Sequence, residues 1–444
     1  MIISGTVIAD ASTVVREGAV VVAGSEVVAV GDRDRLLEQY PDHREVCHDI
    51  VAPGLVAAHV HSVQTLGRGL AEDCALLDWL FEYVLPLEAT LTADEMATAA
   101  QLGYLELLTS GVTTVIDHLS VAHADRAIEA AGEMGLRGLL GKAMMDRRAP
   151  PGLCEETDEA LAESERLLTE YHGSFDDRIR YAVTPRFAVS CTEACLRGAR
   201  DLADAHEGVR LHTHANETRR EKETVRADTG MENVRWLDEV GLTGEDVVLA
   251  HGVWTDDRER RLLAETGTHV VHCPSTNAKL GSGIAPVGDY HDRGVPVALG
   301  NDGPPANNTL DPFTEMRQAG LLQKVDRLDP MALPADRLLE MATVQGARAA
   351  GFERVGRLQA GWRADVVGLS TATARATPLP DPLAHLVYSA RGDDVEFTMV
   401  DGEVLVSDGA LQVADADRIR QEAREVAASL DLDPARERAR EVRP

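Results

Sequence analysis

The chain has 444 residues, with 44 Lys and Arg against 74 Asp and Glu, a formal net charge of −30. Such a charge repels nucleic acid and anionic membranes, and no apolar run reaches the roughly eighteen residues of a membrane span. The length exceeds one small domain and suits a large barrel with a smaller companion. The acidity reads as a solvated surface, as in proteins adapted to high salt, with steering of a cationic substrate as the sharper alternative. Basic residues are almost all arginine; the lysines are Lys142, Lys222, Lys279 and Lys324. The six cysteines are scattered, with no Cys-x-x-Cys pair, which reads as reduced thiols of a cytoplasmic protein. Met1-Ile-Ile-Ser-Gly enters a strand pattern directly, with no signal-peptide n- or h-region.

From the N-terminus, residues 1–51 alternate in a β manner between Gly and Asp breaks, as in Gly18-Ala-Val-Val-Val-Ala-Gly. The same texture returns at 356–414, so the two ends are expected to pair into one composite β-sandwich. Between them, 52–355 carries apolar runs at 55–61, 114–118, 138–145, 179–186, 209–214, 247–253, 269–274 and 295–301. Helix-like stretches separate the runs, near 93–110, 123–135, 157–172, 192–206, 233–240, 256–266 and 312–323. The first is opened by the capping-box pattern Thr92-Ala-Asp-Glu95 and closed by Gly111. Strands alternating with helices over this span predict a (β/α)8 TIM barrel. A doubly wound sheet is the alternative, but no Gly-x-Gly-x-x-Gly follows the first strand. The tail, 415–444, is charged and helical in pattern.

In such a barrel, functional groups lie at the C-terminal strand ends. Here the first strand ends in His59-Val-His61, the fifth in His212-Thr-His214-Ala-Asn-Glu217 and the sixth in His251. The seventh ends in His272 and the eighth in Gly300-Asn-Asp302. A lone His at a strand end is most often a satisfied polar residue. Five such ends together point to a metal site, because each buried polar group must find a partner. His59, His61 and His214 offer neutral nitrogens and Asp302 an anionic oxygen. This set suits one divalent metal, zinc first, with iron(II) and manganese admitted by the same donors. A bound water would acidify, and Asp302 could take its proton. His251 is placed to orient the nucleophile and Glu217 to shuttle a proton. The plain alternative for Glu217 is a helix N-terminal carboxylate. His212 reads as a support behind the ligands, and His272 as orienting the site.

At these residues the chain resembles the amidohydrolase superfamily. It is most similar to the branch of 5′-methylthioadenosine/S-adenosylhomocysteine deaminases, guanine deaminases and triazine hydrolases. The resemblance spans nearly the whole chain. Its motifs include Pro53-Gly-Leu-Val-Ala-Ala-His59-Val-His61, His214-Ala-Asn-Glu217, His272-Cys-Pro-Ser-Thr-Asn277, Gly300-Asn-Asp302-Gly and Gly356-Arg-Leu-Gln-Ala-Gly-Trp-Arg-Ala-Asp365. It implies a barrel with a composite β-sandwich, one divalent metal and hydrolytic loss of an amino group from a heterocycle. Glu88 matches a glutamate that holds ribose hydroxyls in nucleoside deaminases. Two features lean instead to guanine deaminase. Arg186 stands where nucleoside deaminases carry a histidine, and Gln64 matches a guanine-reading glutamine. Arg186 suits an oxo group as a donor fork; its plain alternative is a pair with a carboxylate at the barrel rim. Arg147 and Arg148 could clamp a substrate carboxylate or be a solvated pair.

The expectation is therefore a metal-dependent hydrolytic deaminase of an aminated purine or 5′-modified adenosine, of the 5′-methylthioadenosine, S-adenosylhomocysteine or 5′-deoxyadenosine type. A guanine deaminase-like enzyme and a triazine-type chloro- or aminohydrolase are the enzymatic alternatives; a non-catalytic metal-binding barrel is the other class. The partner is a small heterocycle rather than nucleic acid or membrane, and self-association is left open.

Overall fold

The computed structural model describes residues 1–432 and 441. Eight runs become the parallel strands of one barrel: β1 (Leu55–Val60), β2 (Val112–His118), β3 (Arg137–Gly141), β4 (Ile179–Pro185), β5 (Arg210–Ala215), β6 (Val247–His251), β7 (His269–His272) and β8 (Val297–Leu299). Each pairs with its sequence neighbour. The ring closes where β1 meets the end of β8: Asn301 N and Asp302 N donate to His59 O at 3.0 and 2.9 Å, and Val60 bridges Asp302. The interior is a packed core of Val56, Ala58, Ile116, Leu139, Ala182, Val248, Val271 and Ala298, plugged from below by Ala347 and Phe352.

Helices surround the ring. Thr92 and Glu95 form the expected capping box, and the helix Ala93–Thr109 ends one residue before Ser110, with Gly111 at φ +82°. Several helices escaped the periodicity. Between β5 and β6 the helix Arg219–Thr229 precedes the expected Asn233–Glu239; it buries only Glu221 and Val225, so no apolar stripe marks it. Residues 62–90 after β1, not assigned from the pattern, form short helical pieces: Ser62–Gly67, Leu76–Trp79, a π-helical turn Leu80–Val84, and Leu85–Thr90.

The chain ends build one mixed sheet. Ile2–Asp10, Thr13–Ala23, Glu26–Asp32 and Glu45–Pro53 join Val366–Leu369, Val395–Val400, Glu403–Ser407 and Ala410–Leu411 through the antiparallel pair Ala52–Val367. The sheet curls on itself: Phe397 and Met399 share a core with Val20, Val22 and Val27, and Ala364 N donates to Ser25 O at 2.9 Å. Arg137 fastens this unit to the barrel. It donates to Asp365 at 2.9 and 3.0 Å and to Asp401 at 2.6 Å, all buried or nearly so. In the tail, Ala416–Ser429 is a helix capped by Asp415; the expected helical stretch at 433–440 and 442–444 lies outside the described residues. No described helix is long and apolar enough to cross a membrane.

Candidate active site

Alternation alone would not aim His59 inward, since Val56 and Ala58 already face the barrel core. The pairing of β1 with β2 slips between Ala57 and Val60, and this bulge turns His59 to the interior beside His61. From β5, His212 and His214 stack into the same space. Asp302 follows β8 with φ +62°, its carboxylate steadied by Gly303 N at 2.7 Å. Gly303 lets this turn pass close to Gln64, because a Cβ there would lie 2.1 Å from Gln64 Oε1.

The second nitrogens define the first. His61 Nδ1 lies 2.6 Å from His118 O, and His214 Nδ1 lies 2.7 Å from Arg186 O. A carbonyl can only accept, so each Nδ1 carries the proton and each Nε2 presents a bare lone pair. Those two Nε2 atoms face each other at 3.2 Å. Asp302 Oδ1 is 3.3 Å from His61 Nε2 and 3.5 Å from His59 Nε2, and the latter atom has no hydrogen-bond partner among the described residues. Burial, then neighbouring imidazoles, hold His61 and His214 well below the ordinary histidine range, so both are neutral at pH 7. Converging lone pairs beside a carboxylate repel one another unless a cation lies among them. The residues therefore fit a divalent metal: the donor atoms of His59, His61 and Asp302 lie within 4.8 Å of each other, as do those of His59, His214 and His251.

Glu217 and His251 stand beside this cluster. Glu217 Oε2 is 3.6 Å from His251 Nε2, and Ser282 Oγ donates to Glu217 Oε1 at 3.4 Å. Burial first, then the charges of Asp302 and Glu221, push the Glu217 carboxyl well above its usual range. His251, with φ +75°, has Nδ1 at 3.0 Å from Asn277 Oδ1.

Gln64, Glu88 and Arg186 form one buried network. Glu88 accepts from Gln64 Nε2 at 2.8 Å, from Ser120 Oγ at 2.9 Å and from Arg186 at 3.3–3.4 Å. Arg186 is thus paired with a carboxylate, yet it also lines the cavity over the histidines. His212 Nε2 meets His59 Nδ1 at 3.0 Å, behind the cluster. His272 is buried, with neither ring nitrogen partnered among the described residues; burial, then His251, lowers it to about 3. Arg147 and Arg148 both pair with Asp228 at the rim, and both are partly buried rather than free.

Four residues here were not singled out from the sequence: His118, Ser120, Glu221 and Ser282. His118 packs edge-on to His61 and His214. Its position as last residue of the second apolar run was an available signal, as was the capping-box pattern Thr218-Arg-Arg-Glu221 for Glu221. The cavity over the histidines is small, 30 Å³, and is also lined by Leu76, Trp79 and Leu80. A larger cavity of 1210 Å³ lies at the opposite end of the barrel, among the strand starts Arg210, His269 and Val297, and holds none of these groups.

Comparison with known proteins agrees with this architecture. Residues 50–405 match the model of the amidohydrolase family, and 18–42 match a bacterial imidazolonepropionase-like composite domain. The chain is 39% identical to a 5′-deoxyadenosine deaminase of Methanothermobacter thermautotrophicus over 97% of this chain and 98% of that protein. It is 38% identical to a 5-methylthioadenosine/S-adenosylhomocysteine deaminase of Haloarcula marismortui, with the same coverage of 97% and 98%. Among solved structures, a zinc-bound adenosine deaminase from Xanthomonas campestris superposes with a TM-score of 0.89 at 30% identity, covering 99% of this chain and 98% of that one. With the family model spanning most of its length, this chain belongs to the amidohydrolase family and is a hydrolase of carbon–nitrogen bonds.

Proposed function

We propose that the chain is a metal-dependent hydrolytic deaminase of 5′-modified adenosines, releasing ammonia from the amino-bearing ring carbon. One observation carries this reading: a buried Glu217, its carboxyl 3.6 Å from His251, stands beside a cluster of bare imidazole nitrogens and Asp302. The relatives named as deaminases of 5′-deoxyadenosine and of 5-methylthioadenosine/S-adenosylhomocysteine support the substrate class.

In this reading His59, His61, His214 and Asp302 hold one divalent metal, zinc by its fit to three imidazoles and a carboxylate and by the zinc-bound neighbour. When bound, it supplies acidification of a water, so that a nucleophile exists near neutral pH. Asp302 would accept the proton that such a water releases. His251, its other nitrogen facing Asn277, orients the nucleophile. Glu217 gives its proton to the ring nitrogen beside the attacked carbon, Asp302 passes the proton it accepted to the departing amino group, and the new hydroxyl returns a proton to Glu217 as ammonia leaves. Glu88 and Arg186, with Gln64 behind them, receive the sugar side of the substrate. A free-base, guanine-like reading gains less support, because Gln64 Nε2 and the Arg186 fork are both turned on Glu88.

The same proposal assigns 52–355 as the catalytic barrel, 1–51 with 356–414 as the composite sandwich, and 415–444 as an appended tail. It places the enzyme in the cytoplasm, where free thiols are stable.

The test is ammonia release from 5′-deoxyadenosine, 5′-methylthioadenosine, S-adenosylhomocysteine, guanine and a chloro-triazine, alongside metal analysis. Glu217→Gln is expected to keep the metal and lose at least about two orders of magnitude in rate. Full activity in that variant, or turnover of guanine alone, would overturn the reading.

A further inference from the structure

The turn that carries Glu217 is braced by groups the mechanism does not use. Glu221 is the N3 residue of the helix Arg219–Thr229 and is buried. In a capping box such a glutamate accepts the N–H of the N-cap residue. Here its carboxylate accepts three consecutive backbone N–H groups: Asn216 at 3.2 Å, Glu217 at 2.6 Å and Thr218 at 3.4 Å. Asn233 Nδ2 adds a fourth donor at 2.7 Å, which fills the acceptor sites of one carboxylate.

Asn216, at φ +55°, is tied from its other side. Its Nδ2 donates to Glu259 Oε1 at 3.2 Å, and its carbonyl accepts from Val253 N and Trp254 N at 2.9 Å each. Glu259 is fully buried and also accepts from Val234 N at 3.0 Å, Asp256 N at 2.8 Å and Lys222 Nζ at 3.3 Å. Two buried carboxylates thus lock the turn 216–218 against the exit of β6, from which His251 projects. Apolar packing does little of this, since Val225 is the one buried apolar side chain of the helix.

We propose that Glu221 is a positioning residue for Glu217, fixing the backbone at 216–218 and hence the direction in which Glu217 presents its carboxyl to the substrate. The proposal rests on the reading of Glu217 as the proton donor. Glu221→Gln keeps the shape but sets an NH2 against the ring of backbone donors, so at least one of them loses its acceptor.

Its kcat is expected to fall about 10- to 100-fold, the range for residues that orient a functional group, with KM within about threefold of wild type and metal content unchanged. Asn233→Ala, which removes a single donor, is expected to show a smaller fall of the same kind. The deciding measurement is a double-mutant cycle: Glu217→Gln/Glu221→Gln should be no slower than Glu217→Gln alone, because Glu221 acts through Glu217. The proposal is overturned if Glu221→Gln turns over like wild type, if its loss multiplies that of Glu217→Gln, or if metal content falls with activity. Full activity in Glu217→Gln itself would instead sink the reading of the proton donor, and the proposal with it.

Discussion

Arg186 and Glu88 make an ion pair that water barely reaches, their side chains 4% and 1% exposed. A buried pair is weak evidence of net stability, yet removing one partner strands a charge. Arg186→Met is therefore expected to destabilise the fold by about 3–5 kcal/mol, and Glu88→Gln in the same chain to restore much of that. Denaturant unfolding of the four chains of this cycle checks the coupling; additive losses would show that the two residues act separately. The metal cluster invites a second measurement. His214→Ala removes one of the two facing Nε2 lone pairs and should lower both bound metal and turnover by at least about tenfold. Dialysis of the wild type against a chelator should abolish turnover and lower the unfolding temperature, with recovery on adding zinc. Activity that survives complete metal removal would exclude the proposed chemistry.

At the scale of elements, the ion cluster of Arg137, Asp365 and Asp401 joins β3 to the terminal sheet across residues far apart in the chain. Asp365 is fully buried and bidentate to Arg137, and it also accepts Asp401 N at 2.9 Å. Asp365→Ala leaves that guanidinium with Asp401 alone, and the expected loss is about 3–5 kcal/mol. Thermal unfolding followed by circular dichroism measures this; a midpoint equal to that of wild type would mean that Asp365 contributes nothing to joining the two units. The bulge in β1 is the other decisive element-scale feature. Without the slip between Ala57 and Val60, His59 would face the surrounding helices rather than His214.

For the whole molecule, 74 acidic against 44 basic side chains leave an excess that repels itself when folded. Salt screens this repulsion, so the unfolding temperature should rise between low salt and about 1 M NaCl, where the Debye length is near 3 Å. A fall over that range would mean that the many surface ion pairs outweigh the excess charge. The barrel and much of the site were legible in the chain because both rest on local rules. A strand buried on both faces reads as a short apolar run, and the polar residue that ends such a run lies at the barrel mouth. Those rules singled out His59, His61, His214, Glu217, His251 and Asp302. They did not disclose the helix Arg219–Thr229, whose stability comes from buried carboxylates rather than an apolar stripe. Nor did they show that Gln64, Glu88 and Arg186, read separately as rival substrate contacts, form one network, for Glu88 and Arg186 are 98 positions apart. The sequence alone determined which residues stand at the strand ends, because that depends on neighbours in the chain. Which lone pairs face each other, which carboxylate is already paired and which turn is braced were decided only by the closed barrel, because these depend on distances that folding creates.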